Sequence, residues 1–118
     1  MEASSGREPE SILADFFAAE NARDWRAYVE FLHPGVEWTL IDGSRERTIA
    51  GREPYLRAIK SAYAEATTTF RCLETIGDRR GGLIAAVLVN DAGERSVDVF
   101  LVEGRLIRRE WEFLLGRP

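Results

Sequence analysis

The sequence predicts an α+β domain in which helices come first and a mostly antiparallel sheet follows. In three segments between Ser11 and Tyr63, apolar residues recur at three- and four-residue spacings, which is typical of amphipathic helices. From Thr67 onward they recur at every second position, as in strands, and turn residues separate the runs. The chain has 118 residues, enough for one core and too few for two. We therefore predict a disordered tail over residues 1–10 and a single domain over residues 11–115.

Three helices are predicted, each from its own boundary signals. The first begins near Ser11 and presents one apolar stripe made of Ile12, Leu13, Phe16, Phe17 and Ala19. Asp24 is the predicted N-cap of a short second helix, which ends at the sequence His33-Pro34-Gly35 because proline cannot continue a helix. Pro54 fits the first turn of a third helix.

The strands follow from runs of β-branched and aromatic residues between turn signals. One strand is predicted over residues 36–41, with a short return strand near residues 48–50. The later strands are predicted over residues 67–76, 82–89, 95–102 and 105–115, separated by turns at 77–81, 90–93 and 103–104.

The last strands carry apolar side chains on both faces. Val97, Val99 and Leu101 lie on one side, whereas Phe100 and Val102 lie on the other. A sheet with one face in water alternates more cleanly than this. We therefore expect the helices to cover one face and a second copy of the chain to cover the other.

Asp98 interrupts an apolar strand and is the candidate catalytic residue. Burial disfavours the charged form of a carboxyl, so its pKa is expected to rise unless a cation is close. A two-residue turn at Glu103-Gly104 would place Asp98 opposite Arg109, on one face of the sheet. The pair could anchor a ligand, or it could be an internal ion pair.

Aromatic side chains are expected to gather around this pair. Trp38, Tyr55 and Phe100, with Trp111 and Phe113 on the Arg109 face, could line a cavity for a small apolar or aromatic molecule. The same residues could instead form a solid core. Glu110 and Glu112 are expected on the opposite face of the last strand, as rim charges or as pairs between subunits. His33 is expected to cap a helix or to hydrogen-bond within its loop.

The composition excludes several classes of function. A net charge of −4 argues against a nucleic-acid partner, and no apolar run is long enough to span a membrane. One cysteine and one histidine make a zinc site improbable, so no metal or cofactor is expected. The acidic, polar N-terminus does not look like a secretory signal, so we expect a cytoplasmic protein. Motifs for phosphate binding or serine hydrolysis are absent.

Four segments are informative when taken together: residues 16–25 (FFAAENARDW), 31–38 (FLHPGVEW), 49–56 (IAGREPYL) and 103–107 (EGRLI). In this order they resemble the nuclear transport factor 2-like superfamily, in its SnoaL-like and ketosteroid isomerase-like branch. This superfamily includes ketosteroid isomerase, scytalone dehydratase, limonene-epoxide hydrolase and the polyketide cyclases. The resemblance implies a cystatin-like cone, in which three helices cover the concave face of a curved sheet, and a homodimer through the convex face.

The resemblance implies a matching functional residue at one position only. It places Asp98 where ketosteroid isomerase holds its oxyanion-binding acid, whereas Phe16 and Trp38 occupy the positions of its tyrosine and its base. Our leading hypothesis is therefore a pocket protein for a small apolar molecule. It would be an acid–base enzyme of the isomerase, hydrolase or cyclase type, with Asp98 and Arg109 as catalytic residues and Phe16 among the ligand-binding residues. The alternatives are a non-catalytic carrier or sensor and a dimeric interaction module.

Overall fold

The computed structural model describes residues 9–78 and 82–118, which form three helices and one curved six-stranded sheet. Within these two ranges, every helix is too short or too polar to span a lipid bilayer. In chain order the elements are α1 Pro9–Ala22, α2 Trp25–Val29, β1 Leu32–Asp42, β2 Arg45–Ala50, α3 Arg52–Ala62, β3 Phe70–Gly77, β4 Leu83–Asn90, β5 Arg95–Glu103 and β6 Leu106–Gly116.

The helices begin and end close to the predicted signals. α1 starts at Pro9, two residues before Ser11, so the last two residues of the predicted tail are helical; residues 1–8 lie outside the described part. Arg23, with a φ of 58°, ends α1. The Asp24 side chain accepts a hydrogen bond from the backbone N–H of Ala27 (3.2 Å), which confirms it as the N-cap of α2.

The second helix is shorter than predicted and the first strand is longer. α2 ends at Val29, and β1 already begins at Leu32, which was predicted to be helical. The reason is tertiary pairing, because Leu32 lies beside Ile107 of β6 and both side chains are fully buried. The backbone N–H of Gly35 donates to Nδ1 of His33 (2.9 Å), so the predicted local hydrogen bond of this histidine is confirmed.

The sheet has the strand order β2-β1-β6-β5-β4-β3, and only the β1–β6 pair is parallel. We call the face that carries Ile84, Phe100 and Ile107 the inner face; all three side chains are buried. Helix α1 packs here, with the Phe16 and Phe17 rings 6.1 and 5.8 Å from the Phe100 ring. The opposite, outer face carries Val97, Val99, Leu101 and their partners on β6.

A β-bulge at Arg108 sets the faces of the last strand. Val102 pairs with Ile107, but the next residue, Leu101, pairs with Arg109, so Arg108 is an extra residue in β6. Because side chains alternate along a strand, one extra residue moves every later side chain to the other face. Asp98 therefore lies opposite Glu112, and the predicted pairing of Asp98 with Arg109 is wrong.

The other predicted strands shift only at their ends. Residues 45–47, which precede the predicted return strand, pair with β1 as the start of β2. The strand predicted from Thr67 begins at Phe70, where Asn21 of α1 exchanges two hydrogen bonds with the Phe70 backbone (2.8 and 3.0 Å). Residues 79–81 of the predicted turn at 77–81 lie outside the described residues.

Candidate active site

A cavity of about 710 Å³ lies between the helices and the inner face of the sheet. Its walls are aromatic and acidic at once. Among the described residues that line it, Arg95 is the only basic one, and its side chain is exposed. The aromatic lining residues are Phe16, Phe17, Tyr28, Trp38, Tyr55, Tyr63, Phe70 and Phe100, and the acidic ones are Glu20, Asp42, Glu94, Asp98, Glu110 and Glu112.

Three of these carboxyl groups lie together on the inner face, and we call them the acidic triad. Asp98 of β5 and Glu110 of β6 are each 4% exposed, and Glu112 is two residues further along β6. One carboxyl oxygen from each side chain lies within 4.8 Å of the other two. The bulge at Arg108 brings the two glutamates to this face beside Asp98.

Each carboxyl of the triad receives a hydrogen bond from a neighbouring donor. Ser96 donates its hydroxyl to Asp98 (2.7 Å), and the Trp38 indole N–H donates to Glu112 (3.0 Å). The Tyr55 hydroxyl donates to Glu110, and it also lies 3.3 Å from the Tyr28 hydroxyl. These contacts hold the carboxyl groups in place from the sheet and from α3, and Tyr28 of α2 contacts the α3 donor.

Burial and mutual repulsion keep protons on the triad. Burial raises the pKa of Asp98 well above its ordinary value, and the charge of Glu112 raises it further. Burial likewise raises the pKa of Glu110, with added repulsion from Asp98 and Glu112. Burial also raises the pKa of Glu112, against the lowering effect of its hydrogen bond from Trp38. Two carboxylates within 4.8 Å would repel by roughly 3 kcal/mol at an effective dielectric constant of 20, so the triad does not ionise fully near neutral pH.

The same three oxygen atoms are close enough to share a divalent cation, since Mg²⁺ and Ca²⁺ prefer carboxylate ligands. A cation would compete with the protons that the triad retains. Among the described residues lining the cavity, the triad has no histidine or cysteine beside it. The hydroxyl and indole donors already pair with its carboxyl groups, which favours a proton-sharing site.

A fourth carboxyl, that of Glu20, lines the cavity from α1. Its Oε2 accepts a hydrogen bond from the Tyr63 hydroxyl (2.6 Å). Burial raises its pKa from 4.5 to about 7, with the charge of Glu112 adding to the rise and the Tyr63 hydrogen bond opposing it. The guanidinium of Arg23 stacks 4.0 Å from the centre of the Tyr63 ring and donates to the carbonyl groups of Ala66 and Thr68 (3.0 and 2.7 Å).

The structure brings together five of the eight predicted site residues. Asp98 and four of the predicted ligand-binding residues line the cavity; these four are Phe16, Trp38, Tyr55 and Phe100. The remaining three, Arg109, Trp111 and Phe113, lie on the outer face, so their predicted place in the cavity is wrong. The extra residue Arg108 is the reason, because it reverses the faces of β6.

Arg109 has its own partners on the outer face. Its guanidinium donates to Thr39 Oγ1 (2.9 Å) and to the carbonyl oxygen of Glu37 (3.2 Å), and it lies 3.7 Å from the Glu37 carboxylate. It also stacks 4.4 Å from the centre of the Trp111 ring. These contacts fix Arg109 between β1 and β6, on the side of the sheet away from Asp98.

Apart from the exposed Asp42 and Glu94, three acidic residues of the cavity were missed or misplaced by the sequence analysis. Glu110 and Glu112 were assigned to the opposite face, and no sequence signal marks the bulge that reverses it. Glu20 did have a signal, because it continues the buried stripe of α1 at three residues after Phe17 and seven after Leu13. A charged residue on a buried helical stripe is a reason to look for a site.

Comparisons with known proteins identify the fold of the chain. No protein-family model and no curated protein sequence matches the chain. A provisionally assigned ketosteroid isomerase from Kribbella flavida DSM 17836 is 22% identical with a TM-score of 0.75, and the alignment covers 94% of this chain and 80% of that one. The epoxide hydrolase/cyclase-like enzyme SalBIII, described for its role in pyran ring formation in salinomycin, is 20% identical with a TM-score of 0.73, over 91% and 90%.

A SnoaL-like protein of unknown function from Burkholderia thailandensis E264 is 16% identical with a TM-score of 0.76, and the alignment covers 92% of this chain and 95% of that one. Identities this low establish a shared fold and leave the activity open. The chain has the nuclear transport factor 2-like fold, the fold of SnoaL-like and ketosteroid isomerase-like proteins, as the sequence resemblance predicted.

Proposed function

We propose that the cavity is the active site of an acid–base enzyme that acts on a small, mostly apolar molecule. The observation that carries this proposal is the acidic triad, three carboxyl groups within 4.8 Å of one another on the wall of an aromatic cavity. Such a cluster holds both a protonated acid and a carboxylate base at neutral pH, which is the arrangement that proton-transfer enzymes use.

The surroundings of each carboxyl divide the two roles. Glu112 is the least buried of the three, and the Trp38 indole N–H stabilises its charge, so it ionises first. Its charge then keeps protons on Asp98 and Glu110, which we call the acid pair. We assign Glu112 as the base and the acid pair as the proton donor.

This division suits substrates with a carbonyl or epoxide oxygen. The acid pair would donate a proton to that oxygen while Glu112 accepts a proton from a substrate carbon or from an attacking water. The number of protons in the site is unchanged over the step. The aromatic walls would hold the apolar remainder of the substrate.

We expect Asp98→Asn to lower kcat by about 100-fold on any substrate that the protein turns over. Asparagine has nearly the same shape and can still accept the Ser96 hydrogen bond, but it cannot donate an acidic proton. The measurement is turnover of a panel of small epoxides and enolisable ketones, with EDTA present to remove divalent cations.

Asp91→Asn is the matched control, because Asp91 lies in the exposed turn between β4 and β5. Full turnover in the Asp98 variant would contradict the proposal. Thermal shifts with panel compounds but no turnover by the unaltered protein would instead favour the carrier hypothesis. A cavity that takes up no compound would favour the interaction module.

We also propose that the outer face of the sheet pairs with a second copy of the chain. This face carries Val97, Val99 and Leu101, which are half-buried, and Leu83 and Phe113, which are 41% and 38% exposed. A continuous apolar face of this kind in a protein monomer would be open to water. A closed twofold dimer covers it with an identical surface.

Light scattering at micromolar concentration is expected to give twice the chain mass of 13.3 kDa. Phe113→Glu is expected to give the monomer mass, because it places a charge in the apolar contact. Ala92→Glu, in the exposed turn between β4 and β5, is the control and should remain dimeric. A monomer in the unaltered protein would contradict this proposal.

A further inference from the structure

We propose that Glu20 is a second reacting carboxylate of this site, and that it contacts the bound molecule from the helix side while the acid pair contacts it from the sheet. This inference rests on the proposed function and adds a catalytic residue to it. It assigns the wall opposite the acidic triad a chemical role beyond shaping the cavity.

The placement of Glu20 carries the inference. It lies on α1, which packs against the inner face through Phe16 and Phe17, and its side chain lines the same cavity as Asp98. Its Oε2 is held by the Tyr63 hydroxyl at 2.6 Å, so the carboxyl has a fixed position. The Arg23 guanidinium, stacked on the Tyr63 ring, holds that donor in turn.

The groups that raise or lower the pKa of Glu20 come from all three helical segments and from the sheet. Tyr63 follows α3 and Tyr28 belongs to α2, and hydrogen bonds from both favour the carboxylate. Arg23, just after α1, favours it as well. The triad opposes ionisation from the sheet, because Glu112 repels Glu20, and Glu20 in turn raises the pKa of Asp98 and Glu110. Burial and the sheet charges raise the pKa of Glu20 to about 7, so both of its forms are present near neutral pH.

A small aryl epoxide such as styrene oxide tests this arrangement without knowledge of the natural substrate. A Glu20 carboxylate oxygen would attack an epoxide carbon, and the carbon–oxygen bond of the ring would break. The released oxygen would take the proton held by the acid pair. The product is a hydroxy ester on Glu20, and the acid pair is left with one proton fewer, which solvent restores.

The experiment is peptide mapping by mass spectrometry after incubation of the whole protein with styrene oxide, at a series of pH values. We expect one ester on Glu20, formed at a rate that rises with pH to a plateau, with a midpoint of about 7. Tyr63→Phe is expected to move this midpoint to higher pH, because it removes the hydrogen bond that favours the carboxylate. A merely structural role for Tyr63 would leave the midpoint unchanged.

Three variants separate the possible outcomes. Glu20→Gln should lose the ester altogether, and Asp98→Asn should form it about 100-fold more slowly for lack of the proton donor. Glu53→Gln, on the exposed first turn of α3, is the matched control and should react as the unaltered protein does. An ester on Glu112, or no ester on any carboxyl, overturns the inference.

The same variants test the proposed acid–base function separately from the role of Glu20. If Glu20→Gln turns over the substrate panel normally while Asp98→Asn does not, the acid–base site stands and the role of Glu20 falls. If Asp98→Asn changes neither turnover nor labelling, the proposed function falls as well.

Discussion

Glu112→Gln is expected to lower kcat by about 10²- to 10⁴-fold while the protein stays folded and still binds its substrate. Glutamine has nearly the same shape as glutamate. Its side-chain carbonyl can still accept the hydrogen bond from the Trp38 indole N–H, which is 3.0 Å long in the unaltered protein. What is lost is the charge that accepts a proton. The measurement is kcat and KM on the best compound of the substrate panel.

A second measurement, the pKa of Asp98, distinguishes the loss of a base from a general disturbance of the site. The charge of Glu112 raises the pKa of Asp98, so Glu112→Gln is expected to lower the pKa of Asp98. Carbon-13 NMR of the labelled carboxyl groups measures that change directly. Glu103→Gln, at the exposed end of β5, is the control and should change neither kcat nor the Asp98 pKa. An unchanged kcat in the Glu112 variant would contradict its assignment as the base.

The protein is expected to become less stable as the pH rises from 4.5 to 7. Glu20 has its pKa raised in the folded state, so between these values the folded state binds more protons than the unfolded state. Its contribution to stability is complete below the unfolded value of 4.5 and is lost as the pH rises through about 7. A shift of this size corresponds to about 3 kcal/mol in the free energy of unfolding. The raised pKa values of the triad act in the same direction.

Denaturant unfolding across this pH range checks the expectation. Glu20→Gln should be more stable than the unaltered protein at pH 7 and should have a flatter dependence on pH, because a neutral amide carries no ionisation cost. Glu53→Gln should keep the original slope, since Glu53 is exposed. If the Glu20 variant kept the full slope, the carboxyl would not be the buried, proton-binding group described above.

Much of the fold and part of the site were predictable, because they depend on local signals. Asp24 was predicted as an N-cap from its residue type and its place between two helical patterns, and its side chain does cap α2. Asp98 was placed on the same face as Phe100 from the two-residue period of a strand, and both are buried on the inner face. Such inferences need only the chain within a few residues of the position.

The pairing across strands was not predictable in the same way. The turn between β5 and β6 was predicted at Glu103-Gly104, one residue before its observed position at Gly104-Arg105. This difference shifts the pairing between the strands by two residues, which alone would have left every face unchanged. The bulge at Arg108 then reversed the faces of β6 and placed Glu110 and Glu112, instead of Arg109 and Trp111, beside Asp98. A bulge is decided by contacts between strands and with neighbouring elements, and those contacts are distant in the sequence.

The sequence by itself therefore determined the order of helices and strands, the nuclear transport factor 2-like fold and the buried position of Asp98. Only the tertiary structure decided which groups surround that carboxyl. The hydrophobic period along one strand fixes a side chain's face, but one extra residue in the neighbouring strand exchanges a cation for two more carboxyl groups. That exchange turns an expected ion pair into a cluster that must retain protons, and the proposed chemistry depends on it.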